Sequence, residues 1–202
     1  MNLLGVEELR SERLAFLATI RSLRDDEFEC GRTLCADWTP RDVLAHLVGT
    51  NELHQYALRG LRVNAVNAML VERRRGLSRA QLTATGEQWA AHPTVAHRMT
   101  ARFLIGDVCM HHQDVLRGLG RPHDVPDFVA AAILREGAIL STGTRRNLLH
   151  YRVVPTTPGV RPLGRGIEVH GTAEALGLWL AGRRGIEPEL EFEGSLAGVG
   201  LR

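Results

Sequence analysis

The chain has 202 residues, 44% hydrophobic and 24% charged, the balance of a folded globular protein with one ordinary domain or a domain plus a small appendage. All 25 basic residues are arginine, which excludes Schiff-base lysines, phosphate-loop lysines and lysine general bases together. A formal charge of +2 is too near balance for the electrostatic footprint of nucleic-acid binding, and no apolar stretch reaches membrane-spanning length, so the expected partner is a small molecule.

Cys30, Cys35 and Cys109 are an odd number with no C-x-x-C spacing, which argues against a disulfide framework or a zinc knuckle and for a reducing cytoplasm. The residues from Met1 to Glu8 carry acids where an export signal needs a basic start.

The first two thirds reads as a succession of helices. From Leu3 to Leu23, Val6, Leu14, Leu17 and Ile20 recur at helical spacing and predict an amphipathic first helix. Thr39, Pro40 and Asp42 predict a capped start for a second helix that carries Val43, His46, Leu47 and Thr50 on one face and runs to about Gly60. Ser78 and Gln81 form another capping box, opening a third helix that passes Leu82 and Trp89. The arginines 73 to 75 before it read as a solvated face, helical or not. A fourth periodic segment spans Thr100 to Leu119, closed by Gly118 and Gly120, and a fifth spans Pro126 to Leu140. Helices of this number and length imply a bundle.

After Gly143 the pattern changes. Leu148 to Val154 and Ile167 to His170 read as strands, Thr172 to Leu180 as a helix ending at Gly182, and Glu189 to Phe192 as a last strand before a glycine-rich tail from Gly194 to Gly200. The expected fold is therefore mainly α: a helical bundle over residues 1–143, then a small α+β piece over 144–202.

The chemistry concentrates in the fourth helix, at Asp107, His111 and Asp114. Residues four apart stack on one helix face, so Asp107 and His111 can meet one cation, or can form a helix-surface ion pair. A third ligand has to come from another helix, and His46 is the candidate because Val43, Leu47 and Thr50 share its inward face. Three protein ligands leave open positions on the ion, the arrangement of a catalytic site. His54, His92, His97, His150 and His170 form no ligand pair, and Cys109 reads as buried packing.

Cys35-Ala36-Asp37-Trp38-Thr39-Pro40-Arg41-Asp42-Val43-Leu44-Ala45-His46-Leu47 resembles the opening motif of the mycothiol-dependent maleylpyruvate isomerase family, within the DinB-like superfamily of metal-binding four-helix bundles. Asp107, His111 and Asp114 are similar to that family's carboxylate-x-x-x-His-x-x-Asp run, and Trp179-Leu180-Ala181-Gly182-Arg183 to its W-L-x-G-R ending.

The resemblance implies an up-and-down four-helix bundle followed by a sterol-carrier-protein-like piece. It also implies a divalent metal, zinc first with nickel, iron or manganese as alternatives, on His46, Asp107 and His111. The family usually has Glu at the second of these positions; one methylene fewer shortens the reach by about 1.5 Å and draws the ion toward the fourth helix or weakens its hold. The family's arginine falls on Arg183, implied to hold an anionic group of substrate or cofactor, the alternative being a plain helix-end charge. Asp114 either orients His111 or His112 or is a surface carboxylate near Arg117. Cys35 reads as structural.

The implied activity is that of a mycothiol-dependent isomerase or S-transferase, in which the metal activates a low-molecular-weight thiol for addition to a small electrophile, in a monomer or homodimer. A metal-dependent tailoring enzyme or hydrolase and a non-catalytic binding protein are the alternative readings.

Overall fold

The computed structural model describes residues 5–35, 37–52, 54–58, 62–122 and 124–193. The chain divides into two compact units, Met1–His123 and Asp124–Arg202.

The first unit contains α1 (Val6–Ser22), α2 (Asp25–Cys30), α3 (Pro40–Gly49), α4 (His54–Leu58), α5 (Val63–Glu72), α6 (Arg79–Ala91), α7 (Val95–Met99) and α8 (Ala101–Gly118). Four of these close a bundle: α1 packs on α6 and α8, and α3 packs on the same two from the other side. Leu9, Phe16, Leu17, Ile20, Val43, Leu44, Leu47, Leu82, Trp89, Val108 and Met110 fill its core. The expected helical bundle is present.

Both capping boxes form as the sequence indicates. The Thr39 hydroxyl accepts from Asp42 N while Asp42 Oδ2 accepts from Thr39 N at 3.1 Å, and Ser78 and Gln81 do the same for α6. These contacts satisfy helix-end N–H groups that have no intrahelical partner.

The inward stripe of α1 differs from the expected one. Leu14 is exposed and Val6 only half-buried, whereas Glu12 and Arg13 are buried beside Leu9, Phe16 and Ile20. The two charges can face inward because each finds buried partners from distant helices.

The second helix stops at Gly49, well short of residue 60, and a 3-10 turn over Thr50–Glu52 precedes α4. Gly60 itself lies outside the described residues. Arg73 and Arg74 follow α5 in a turn, where both pair with Glu52 at 3.0 and 2.9 Å, so this run is not simply a solvated face.

The second unit contains α9 (Asp127–Leu140), β1 (Tyr151–Pro155), β2 (Leu163–Gly164), β3 (Ile167–Gly171), α10 (Ala173–Leu180) and β4 (Glu191–Phe192). The sheet order is β2-β1-β3-β4. Its β1 and β3 run parallel with Val153 opposite Val169, and the two outer strands are antiparallel to their neighbours. The C-terminal α+β piece is thus present, and it gains a helix. The fifth periodic segment, α9, was expected in the bundle with a boundary after residue 143, but it packs on α10.

Two glycines account for that pairing. A Cβ on Gly137 would lie 2.1 Å from the Gly177 carbonyl oxygen, and one on Gly177 would lie 2.5 Å from the Ile133 carbonyl oxygen. The α9 and α10 backbones therefore touch directly. Gly137→Ala is expected to lower stability by about 3 kcal/mol despite the ~1 kcal/mol that Ala gains in helix propensity, because the obstacle is backbone and cannot rotate away. The midpoint and slope of urea unfolding check this, and an unchanged midpoint refutes it.

The glycine-rich tail from residue 194 lies outside the described residues. Among the described residues, no helix is long and apolar enough to cross a membrane.

Candidate metal centre

The site is built on α3, α8 and the segment that leads into α3. His46 lies in the last turn of α3, a helix whose residues from Val43 to Gly49 are all buried. Asp107, His111 and Asp114 come from α8, the first two related by one helical turn as their spacing requires.

His46 Nε2 lies 3.5 Å from Asp107 Oδ2, and His111 Nε2 lies 3.5 Å from Asp107 Oδ1. One donor atom from each residue falls within 4.8 Å of the other two. For zinc bonds near 2.0–2.1 Å in a tetrahedron, neighbouring donors sit roughly 3.3 Å apart, so the observed separations are those of ligands around one ion. Two imidazoles and a carboxylate also form a donor set suited to a borderline divalent metal. The residues present fit the implied ion.

Asp114 settles one of the alternatives that its spacing left open. Its side chain is fully buried, not a surface carboxylate, and its Oδ2 lies 2.9 Å from His111 Nδ1. His111 thus donates Nδ1–H to a buried carboxylate and turns Nε2 toward Asp107 and His46, the carboxylate–imidazole pairing by which ligating histidines are held. A second group, Cys35, His111 and Asp114, also lies within 4.8 Å. The hydrogen bond to Asp114 occupies His111 Nδ1, so the donor set with Nε2 turned toward it is the first.

Trp38 covers the pair. Its ring centroid is 5.0 Å from that of His46 and 5.6 Å from that of His111, whose rings are themselves 4.9 Å apart. The irregular segment before α3 is pressed onto α8, because Leu34 N donates to Asp114 O at 3.0 Å and a Cβ on Gly118 would fall 2.4 Å from Arg32 O. Gly118, read from sequence as a helix stop, is thus also the place where this segment crosses the helix.

Sequence reasoning missed two buried networks around the site. His112 turns away from His111 and bridges Glu12 Oε1 at 2.7 Å and Thr19 Oγ1 at 2.8 Å, tying α8 to α1. Arg13 donates to Trp89 O and His97 Nδ1, each at 3.0 Å, and stacks over the Trp89 ring. Because Arg13 can only donate, His97 Nδ1 accepts, and His97 Nε2–H donates to Thr50 O at 3.0 Å. His97 was passed over for lack of a nearby ligand pair; its partner is 84 residues away, which no local pattern reveals.

The fields around Asp107 follow. Burial lowers the Arg13 guanidinium to about 10 and the Asp107 carboxylate opposes that shift, so Arg13 stays charged at neutral pH. Burial first, then the carboxylates of Asp107 and Glu52, push the Tyr56 phenol up to about 12; it stays protonated and donates to Asn67 Oδ1 at 2.7 Å.

Arg183 follows α10 in the second unit and is half-buried. The segment is held by Arg146, whose Nη1 donates to Arg183 O and Trp179 O at 3.1 and 3.3 Å while Nη2 pairs with Glu187 at 2.7 Å. Cys109 is fully buried, as its position on the helix predicts.

Residues 9–85 match the family model described as the mycothiol maleylpyruvate isomerase N-terminal domain, a stretch that contains Trp38 and His46. That stretch is similar to the isomerase domain over somewhat more than a third of the chain. Two solved structures share the fold: the mycothiol-dependent maleylpyruvate isomerase, 16% identical with a TM-score of 0.63, and a histidine-to-alanine variant of it, 15% identical with a TM-score of 0.64. Each comparison covers 98% of this chain and 95% of the other. No curated protein matches in sequence. The matched maleylpyruvate isomerase domain ends within α6, so Asp107, His111 and Asp114 lie beyond it.

Proposed function

We propose that the protein is a mycothiol-dependent metalloenzyme of the maleylpyruvate isomerase type, acting on a small electrophile as an isomerase or S-transferase. The observation that carries this reading is the convergence of two imidazole nitrogens and a carboxylate, at ligand-to-ligand distances, within a bundle whose first helices match the isomerase domain. His46, Asp107 and His111 hold the ion in this reading, zinc first. When bound, such an ion lowers the pKa of a thiol enough to keep it as thiolate at neutral pH.

The chain's own residues do the rest. Asp114 fixes the His111 tautomer and keeps Nε2 aimed at the ligand cluster, a positioning role. Trp38 shields both imidazoles and limits access of water to them. Asp107 would set one negative charge against the divalent cation, and the same carboxylate helps to keep the buried Arg13 guanidinium charged. Arg183, in the second unit, is assigned the anion-holding role that the family resemblance implies.

The test is a calorimetric titration of zinc-loaded and metal-stripped protein with mycothiol. Saturable binding that requires the metal is expected. Absence of thiol binding by fully zinc-loaded protein would overturn the thiol reading and favour chemistry on bound water or a polarised carbonyl.

A further inference from the structure

Phe103, Asp107, His111 and Asp114 follow one another along α8 at spacings of four, four and three residues, so they form a row on one side of that helix. Exposure rises along the row toward the start of the helix. The Asp114 side chain is fully buried and that of His111 nearly so, whereas the Asp107 side chain is 28% exposed and Phe103 is 67% exposed. Trp38 lies against the two imidazoles. The candidate metal cluster is thus covered at the imidazoles and opens at Asp107, toward Phe103.

Helical side chains lean toward the N-terminus of their helix, and His111 Nε2 reaches Asp107 Oδ1 in that direction, at 3.5 Å. By the same lean, Asp107 projects over the turn that carries Phe103. Four residues at 1.5 Å rise separate the two by about 6 Å along the axis. That is the reach of one aromatic ring attached to a carbon that reacts at the cluster. Phe103 offers such a ring an exposed face for offset stacking and gives a small polar group no hydrogen bond.

We infer that Phe103 is a specificity-determining residue of this site and receives the flat, apolar body of the electrophile, an aryl group borne next to the reacting carbon. The inference rests on the metal–thiol reading for its chemistry, but the contact with Phe103 needs neither the metal nor the thiol.

The experiment labels the whole protein with para-fluorophenylalanine and identifies the Phe103 fluorine resonance by its absence in Phe103→Leu. Metal-stripped and zinc-loaded protein are each titrated with benzylacetone, a neutral ketone that cannot accept a thiol. Saturable movement of the Phe103 signal is expected in both, with the signals of the buried Phe16 and Phe28 unmoved. Zinc-loaded protein and mycothiol are then given benzylideneacetone or its methyl counterpart, ethylideneacetone. In either enone the thiol sulfur bonds the β-carbon, the carbon–carbon π bond breaks and the thiol proton ends on the α-carbon. The preference for the phenyl enone, read as a ratio of kcat/KM values, is expected to fall about fivefold in Phe103→Ala and to return in Phe103→Tyr, which keeps the aromatic face.

A Phe103 signal that benzylacetone does not move, or a preference that survives Phe103→Ala, would overturn the assignment. So would a signal that moves with protein concentration and not with the ketone, which marks an interface between copies of the chain. Saturable movement without turnover of either enone supports the Phe103 contact and counts against the metal–thiol reading, so the two failures are distinguishable.

Discussion

Replacing His46 by Ala is expected to reduce tightly bound divalent metal from about one ion per chain to a small fraction of that, with affinity weakened by more than the ~10–100-fold typical of losing an outer-shell partner. The loss is large because His46 is the one contribution from α3. The remaining donors, Asp107 and His111, sit one turn apart on α8 and clamp an ion from a single side. Thiol-dependent turnover should fall in parallel. The fold should persist, since Val43, Leu44 and Leu47 keep α3 buried through the rest of its surface. Elemental analysis of the purified variant after dialysis against zinc provides the check, with circular dichroism as the control for folding. Undiminished metal content in a folded variant would show that the ion is held elsewhere.

The second large effect concerns acid stability. Burial, then the Arg13 charge, lowers the His97 imidazole from 6.5 to about 4, while its bond to Thr50 O opposes the shift. Above pH 6.5 the imidazole is neutral in both folded and unfolded chains and imposes no pH dependence. Between about 6.5 and 4 the unfolded chain takes up a proton that the folded chain refuses, so folding stability falls as pH falls through that window. The full shift corresponds to at most about 3 kcal/mol. Below about 4 the folded protein must place a second positive charge against Arg13.

His97→Gln is expected to be less stable at pH 7.5 but to lose this part of the acid dependence. Urea unfolding of both proteins at pH 7.5, 5.5 and 4.5 reads the difference. A gap between wild type and variant that is the same at all three values would contradict this account of His97.

Much of the candidate metal cluster was legible because it is local. Asp107 and His111 are four residues apart, and any α-helix brings such a pair to one face. His46 could be assigned an inward direction because Val43, Leu47 and Thr50 surround it at helical spacing, and the Thr39–Asp42 box fixed where that helix begins. The role of Asp114 was not legible. Three residues from His111 and two from His112, it could serve either ring or neither, and only the rotation of α8 in the bundle assigns it to His111 while sending His112 to Glu12 and Thr19.

The same limit explains the misread first helix. Leu14 and Leu17 both fit a hydrophobic period, but the true inward stripe includes Glu12 and Arg13, whose burial is tolerable only because His112, Trp89 and His97 arrive from far along the chain. Periodicity finds a helix and its apolar content. It does not find a buried charge whose partner is 84 residues away.

By itself, then, the sequence determined the two capped helix starts at Pro40 and Arg79, the shared helix face of Asp107 and His111, the change from helical bundle to α+β character, and a motif inside the stretch that matches the isomerase domain model. These depend on backbone geometry and side-chain spacing within a few residues. Only the tertiary structure decided which unit owns α9, which imidazole Asp114 orients, and which arginines have partners. Those outcomes depend on close backbone approaches such as Gly137 on Gly177 and on the azimuth of each packed helix, which no single segment encodes.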